Sequence, residues 1–205
     1  KDITRNSIEL TPTHEILIGQ RPTQDTVALV FAELYAGTYV YAYPLGWLKW
    51  TGKVWRSDVQ GDIREDIRSL TRRHNQQGLS SVAASGFVDG VVRLLQFDRN
   101  MKMPASDFDA DAHLLNCLDG VWHLGTGERC DHSSDFKITQ MAPISVGQNK
   151  PKAFLKFLDE ITDGDQELQA YFQIMLGSLL TGAQEIHKIF YWYGATSRNG
   201  KSTLA

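Results

Sequence analysis

The sequence predicts an α+β fold in which small antiparallel hairpins, arranged as a meander, pack with several helices. Three observations predict it. Tyr39, Tyr41 and Tyr43 alternate and are followed by the turn formers Pro44-Leu45-Gly46, which is strand periodicity and then a reversal. Val59, Ile63, Ile67 and Leu70 recur at helical spacing between Asp58 and His74. Between Pro151 and Leu180 two helical patterns are separated by Asp163-Gly164-Asp165.

Taken in order, residues 1–22 read as a polar entry arm with one apolar patch at Ile16-Leu17-Ile18. A helix is expected over Gln24 to Tyr35, because Val27, Val30, Phe31 and Leu34 share one face. The aromatic meander follows, with turns at Pro44-Leu45-Gly46 and Thr51-Gly52-Lys53. Asp58 is expected to cap the next helix, which runs to His74, and Gly78 ends that segment. A further helix fits Phe87 to Phe97, and polar residues follow to Asp111. Short strands are expected at Gly120 to Leu124 and Phe136 to Thr139, with a turn at Gly125-Thr126-Gly127. Pro151 should open a helix to Ile161, since proline suits the first helical position. A last helix fits Gln166 to Leu180, and Lys188 to Tyr193 reads as an apolar strand. The expected organisation is an arm (1–22), a mixed α+β domain (23–148), a helical connector (149–187) and the start of a further domain (188–205).

Composition narrows the function classes. The chain has 205 residues, 42% hydrophobic and 22% charged, which suits a packed core and argues against disorder. A net charge of −3 gives no global basic field, so contact with nucleic acid must come from a local patch. Two cysteines make no disulfide framework and suit a reducing cytoplasm. No apolar run reaches bilayer length, so no membrane partner is expected.

The stretch GATSRNGKST, residues 194–203, has the form of a phosphate-binding loop, G-x-x-x-x-G-K-[ST]. Glycines let backbone N–H groups curl around phosphate oxygens, and the following helix presents its N-terminus to the negative charge. Gly194, Asn199, Gly200 and Thr203 would form the cradle, Lys201 would reach the β- and γ-phosphates, and Ser202 would ligate Mg²⁺. Only Lys201 to Ala205 follow, less than a stable helix requires. The chain is therefore expected to be a fragment without ATPase activity of its own. ATP and Mg²⁺ would belong to an intact parent, and no cofactor is expected for the fragment.

Four segments, in the same order, carry a resemblance. They are WLKWTGKVW (47–55), LLNCLDGVWHLGTGE (114–128), FLKFLDEITDGDQELQAYFQIMLGSLLTG (154–182) and FYWYGATSRNGKST (190–203). Together they resemble the phage and plasmid primase-helicase family, in its poxvirus-type N-terminal domain preceding a superfamily 3 helicase. Asp119 stands where that family usually has Asn, and Thr196-Ser197-Arg198 replaces a more glycine-rich stretch. The resemblance implies that the chain ends at the first strand and phosphate loop of an AAA+-like ATPase. It implies a parent that unwinds DNA as a self-associated ring in the cytoplasm of a bacterial host, with a primase domain upstream. The segment itself would assist assembly or DNA binding and carry no catalytic residue.

Other residues admit a plainer role beside a functional one. Arg64, Arg68 and Arg72 recur every four residues, with Arg73 beside them, and such a row can meet successive phosphates. The plainer reading is a solvated face paired with Glu65 and Asp66. The rings of Tyr39, Tyr41, Tyr43, Trp47, Trp50 and Trp55 could stack on bases or simply fill a small core; Trp47, beside the turn, is the one expected to be exposed. Asp107 and Asp109, with Asp111, have the alternation of a polymerase metal site but lie in a polar stretch that reads as a loop. Cys117, His123, Cys130 and His132 match no usual zinc spacing. The competing functions are a free-standing ATP-binding ATPase and a primer-synthesising polymerase using Asp107 and Asp109.

Overall fold

The structure is a computed structural model, and it describes residues 22–74, 80–147, 149–183, 189–191, 193 and 200–204. It divides into two compact units. The first comprises Lys1–Ala110 and His132–Gln140, the second Asp111–Asp131 and Met141–Ala205.

In the first unit, helix α1 (Gln24–Leu34) begins at a reciprocal cap. The Thr23 hydroxyl accepts from the Thr26 amide at 3.1 Å, and the Thr26 hydroxyl accepts from the Thr23 amide at 2.9 Å. The expected meander follows as β1 (Tyr39–Ala42), β2 (Gly46–Trp50) and β3 (Trp55–Ser57), antiparallel in that order. Tyr41 stands opposite Trp47, and Trp50 opposite Trp55. Because side chains alternate across a strand, the sheet feeds two apolar clusters. Tyr39 packs with Phe31 of α1 and with the helices that follow, whereas Val40, Ala42, Leu48 and Trp55 pack with Phe108.

Helix α2 (Asp62–His74) starts four residues later than Asp58, the expected cap. Gly61 adopts φ +76, a conformation that only glycine takes cheaply, and it ends a tight turn begun at Asp58. Asp58 still caps, but across that turn: its carboxylate accepts from the amides of Asp62 at 2.7 Å and Ile63 at 3.1 Å. Val59 is consequently expelled from the helix and stands 87% exposed, while Ile63, Ile67 and Leu70 form the buried stripe. Helix α3 (Ser85–Leu95) closes the cluster with Val88, Val91, Val92 and Leu95. It ends two residues before Phe97, which is exposed.

The expected strand from Phe136 to Thr139 does not form. A 3₁₀ turn covers Ser134–Phe136, and Lys137 adopts φ +51, which no strand tolerates. The segment is held by side chains instead. Asp109 accepts from the Thr139 amide at 2.7 Å and from the Thr139 hydroxyl, and Lys137 reaches Asp107 at 3.1 Å. The Trp55 indole donates to the Ser134 carbonyl at 2.9 Å.

In the second unit, β4 (Leu114–Cys117), β5 (Gly120–His123) and β6 (Arg129–Cys130) form a second antiparallel sheet. Only β5 was legible as a strand. Gly120 sits at the turn with φ +148, where a Cβ would come within 2.6 Å of the Cys130 carbonyl. Helices α4 (Lys152–Thr162) and α5 (Gln166–Ser178) follow as expected, with Pro151 as the residue before the first turn. Asp163 and Gly164 make the turn between them in left-handed conformation, and Asp165 caps α5 through the Leu168 amide at 3.0 Å. In the apolar stretch 188–193, the described residues 189–191 and 193 carry no strand, and Ile189, Tyr191 and Tyr193 are exposed. A short helix α6 (Lys201–Leu204) ends the described chain.

One buried group sets an alkaline limit. Tyr39 is buried and its hydroxyl donates to Asp66 at 2.6 Å. Burial, then that hydrogen bond and carboxylate, push its ionisation far above the ordinary tyrosine range. The folded state therefore holds the phenol proton where the unfolded chain releases it. Stability from this group is complete below about pH 10 and falls as pH rises further. Tyr39→Phe should cost about 1.5–3 kcal/mol at neutral pH and flatten the alkaline decline of the thermal midpoint. Thiol reactivity should split as well. Burial, helped by the Asp119 charge, pushes the Cys117 thiol up, whereas Cys130 is exposed. A thiol reagent should titrate one cysteine quickly and the second only on unfolding.

Candidate nucleic-acid interface

Helix α2 presents the arginine row on its solvent side, next to the buried stripe of Ile63, Ile67 and Leu70. A four-residue step advances about 6 Å along a helix, so Arg64, Arg68 and Arg72 form a ladder of charges on one face. Arg64 and Arg72 are exposed and Arg68 half-buried; the Arg73 side chain lies outside the described residues. Arg64 meets Asp89 of α3 at 3.0 Å, and Arg68 meets Glu65 at 2.8 Å. Arg72 makes no ion pair with a described residue. Asp66, the other acid considered as a partner, is turned away: it takes the Tyr39 hydroxyl and lies 4.0 Å from Lys49.

Both arginine pairs are well exposed, with side-chain accessibilities of 56% and 45% in one and 39% and 51% in the other. Pairs of this kind are worth about 0–1 kcal/mol. A phosphate can therefore compete for these guanidinium groups at little cost. The face also borders an open groove of about 590 Å³ between the start of α2 and α3, lined by Asp58, Val59, Arg64, Arg68, Ser85 and Asp89 among others. Its mixture of acids and arginines makes it a weak anion site by itself. The ladder, not the groove, carries the positive character.

The orientation of α2 is fixed from behind. Lys49 of β2 meets Asp62 at 2.7 Å and lies 5.2 Å from the Tyr39 ring centroid, while Tyr39 holds Asp66. These contacts use up two of the acids on α2 on the side facing the sheet, away from the arginines.

The aromatic expectation is corrected. Trp47 is half-buried, its ring 5.3 Å from that of Tyr41, and it packs on the helical core. The exposed ring is Tyr43, at 79%. Strand β1 ends at Ala42, so the alternation that buries Tyr39 releases Tyr43 into the turn. Asp107 and Asp109 are brought together with residues 137–139, where both serve as hydrogen-bond acceptors. Cys117 is buried in β4 and Cys130 exposed on β6, and no group of three or more metal-ligating side chains occurs among the described residues.

Of the phosphate-loop residues, Gly194 and Asn199 lie outside the described residues, as does the Lys201 side chain. Gly200 has φ +79, and a Cβ there would lie 2.5 Å from the Ile161 side chain and 3.1 Å from Phe157. Helix α6 begins directly after it, with Ser202 and Thr203 exposed. No helix among the described residues is long and apolar enough to cross a membrane.

Comparison with known proteins bears on the first part of the resemblance: the matched region contains 47–55 and 114–128, reaches only the start of 154–182, and does not extend to 190–203. No curated protein matches the chain. The family model described as D5 N terminal like matches residues 28–163, which takes in the arginine helix, both sheets and α4. The chain belongs to the D5 N terminal like family, a replication-associated domain found in phage and plasmid primase-helicase proteins.

Proposed function

We propose that this chain is the DNA-contacting, helicase-associated domain of a phage or plasmid replication protein, and that α2 lays its arginine face along the phosphate backbone. The ladder of Arg64, Arg68 and Arg72 carries this reading: three cations at regular steps on an exposed face, on a domain whose net charge is otherwise negative. Phosphate contacts position a protein on DNA without reading its sequence. That suits a domain serving a motor that must travel over any sequence.

The reading extends to a longer protein. Gly194, Asn199, Gly200, Lys201, Ser202 and Thr203 would cradle ATP, with Mg²⁺ on Ser202, at the start of a superfamily 3 helicase core. That protein would assemble as a ring, with a primase domain upstream and with its work done in the host cytoplasm. The described residues act by holding and orienting. The polymerase alternative finds less support, because Asp107 and Asp109 are engaged with Lys137 and Thr139. The free-standing ATPase alternative would need ATP to bind this chain alone.

The test is a fluorescence-anisotropy titration of the chain into labelled DNA at several salt concentrations. Three phosphate contacts predict a slope of log K against log salt of about −2.7, because each neutralised phosphate contributes about −0.9. Arg72→Ala should weaken binding to all sequences alike and reduce the slope by about 0.9. Absence of binding at low salt would defeat the proposal.

A further inference from the structure

We propose that the first unit also holds an unpaired nucleobase, in a second groove that continues the arginine face past Val59. The inference rests on the DNA-contact reading above. This groove, of about 460 Å³, lies on the other side of the turn that opens α2. Leu48 and Trp55, both buried, form its apolar floor, and Leu45 and Val59 form its rim. Ser57 and Gln140 bring hydroxyl and amide groups to the wall, and Arg56 brings its one formal charge. Arg56 is exposed and makes no ion pair with a described residue.

The lining selects the occupant. No carboxylate lines this groove, whereas Asp58, Glu65 and Asp89 line its neighbour. An apolar floor suits the face of a base, and the hydroxyl and amide suit its polar edge. Arg56, with no ion pair to a described residue, suits the adjoining phosphate. A base locked in a duplex presents neither face, so the groove distinguishes single strands from duplex.

Val59 joins the two surfaces. It lines both grooves and is 87% exposed, an apolar side chain expelled by the Gly61 turn to the boundary between them. A strand whose phosphates run along Arg72, Arg68 and Arg64 reaches Val59 next. There its bases would leave the charged face and enter the apolar one. Leu45, at the β1–β2 turn, closes the far side.

The experiment measures binding of this chain to a single strand carrying 2-aminopurine and to the blunt duplex made from it. The wild type is compared with a Leu45→Ser/Val59→Ser double variant and with Arg72→Ala. Leu45 and Val59 are exposed, so the double variant should keep the fold, which circular dichroism checks. The proposal predicts tighter binding of the single strand, with a change in 2-aminopurine emission. It also predicts that the double variant loses roughly five- to tenfold in single-strand affinity and less than about twofold for duplex, since Val59 also borders the arginine face. Arg72→Ala should weaken both substrates equally. If the double variant binds the single strand as the wild type does, the base groove is overturned while the arginine reading stands. If neither substrate binds at low salt, both fall. If the double variant instead abolishes a concentration-dependent dimer, the groove belongs to a second copy and the proposal is overturned.

Discussion

The buried hydroxyl of Tyr39, held by Asp66 with Lys49 alongside, is the contact on which the arrangement of the first unit depends. Together with the Lys49–Asp62 pair it joins a sheet to a helix whose remaining contacts are apolar, and apolar packing alone is non-directional. A hydrogen bond from a phenol to a carboxylate is charge-assisted and has a preferred geometry, so it sets the rotation of α2 about its axis. With Asp66 and Asp62 turned toward the sheet, the helix stripe between them and the solvent is left to Arg64, Arg68 and Arg72. Burial of Tyr39 thus has an electrostatic consequence on the opposite side of the helix. The polar contact is small beside the apolar cluster of α1, α2 and α3, which supplies most of the stability. Its contribution is orientation.

A second constraint acts at the start of the same helix. The left-handed Gly61 forces Asp58 to cap from four residues away and ejects Val59 into solvent. One backbone conformation thereby produces a capped helix and an exposed apolar corner between two grooves of opposite chemistry. On one side arginines and acids alternate; on the other only Arg56 is charged. Because the arginine–carboxylate pairs are exposed and weak, the mixed groove can exchange its internal pairs for phosphate without a change of backbone. A net charge of −3 is therefore no bar to the local phosphate contact proposed for this face.

Much of this was legible in the sequence, and the exceptions have definite causes. The meander was readable because Tyr39 and Tyr41 alternate and glycines mark its turns, a local pattern with period two. The arginine ladder was readable because it needs only helical spacing. Its pairing with Asp89 was not, since that acid lies on another helix 25 residues away. Val59 was misassigned to the apolar stripe because it fits the spacing, and only the conformation of Gly61 breaks the register. Trp47 and Tyr43 exchanged roles because the strand stops at Ala42, one residue before the alternation does. The segment 136–139 looked like a strand and is a turn clasped by Asp109, a long-range contact that no local pattern announces. The short apolar run Leu114–Cys117 carries no period to distinguish strand from helix, so β4 went unseen. The phosphate loop was the plainest motif of all, yet Gly194 and Asn199 fall outside the described residues.

The central claim is that DNA lies on the face of α2 and the turn before it. Hydrogen–deuterium exchange of the chain with and without a saturating forked DNA tests it most directly, because it maps the contact without any substitution. The account predicts slowed exchange concentrated in the turn at 58–61 and along α2, with α4 and α5 unchanged. Protection confined to α4 and α5, or none at a DNA concentration shown to saturate, would contradict it.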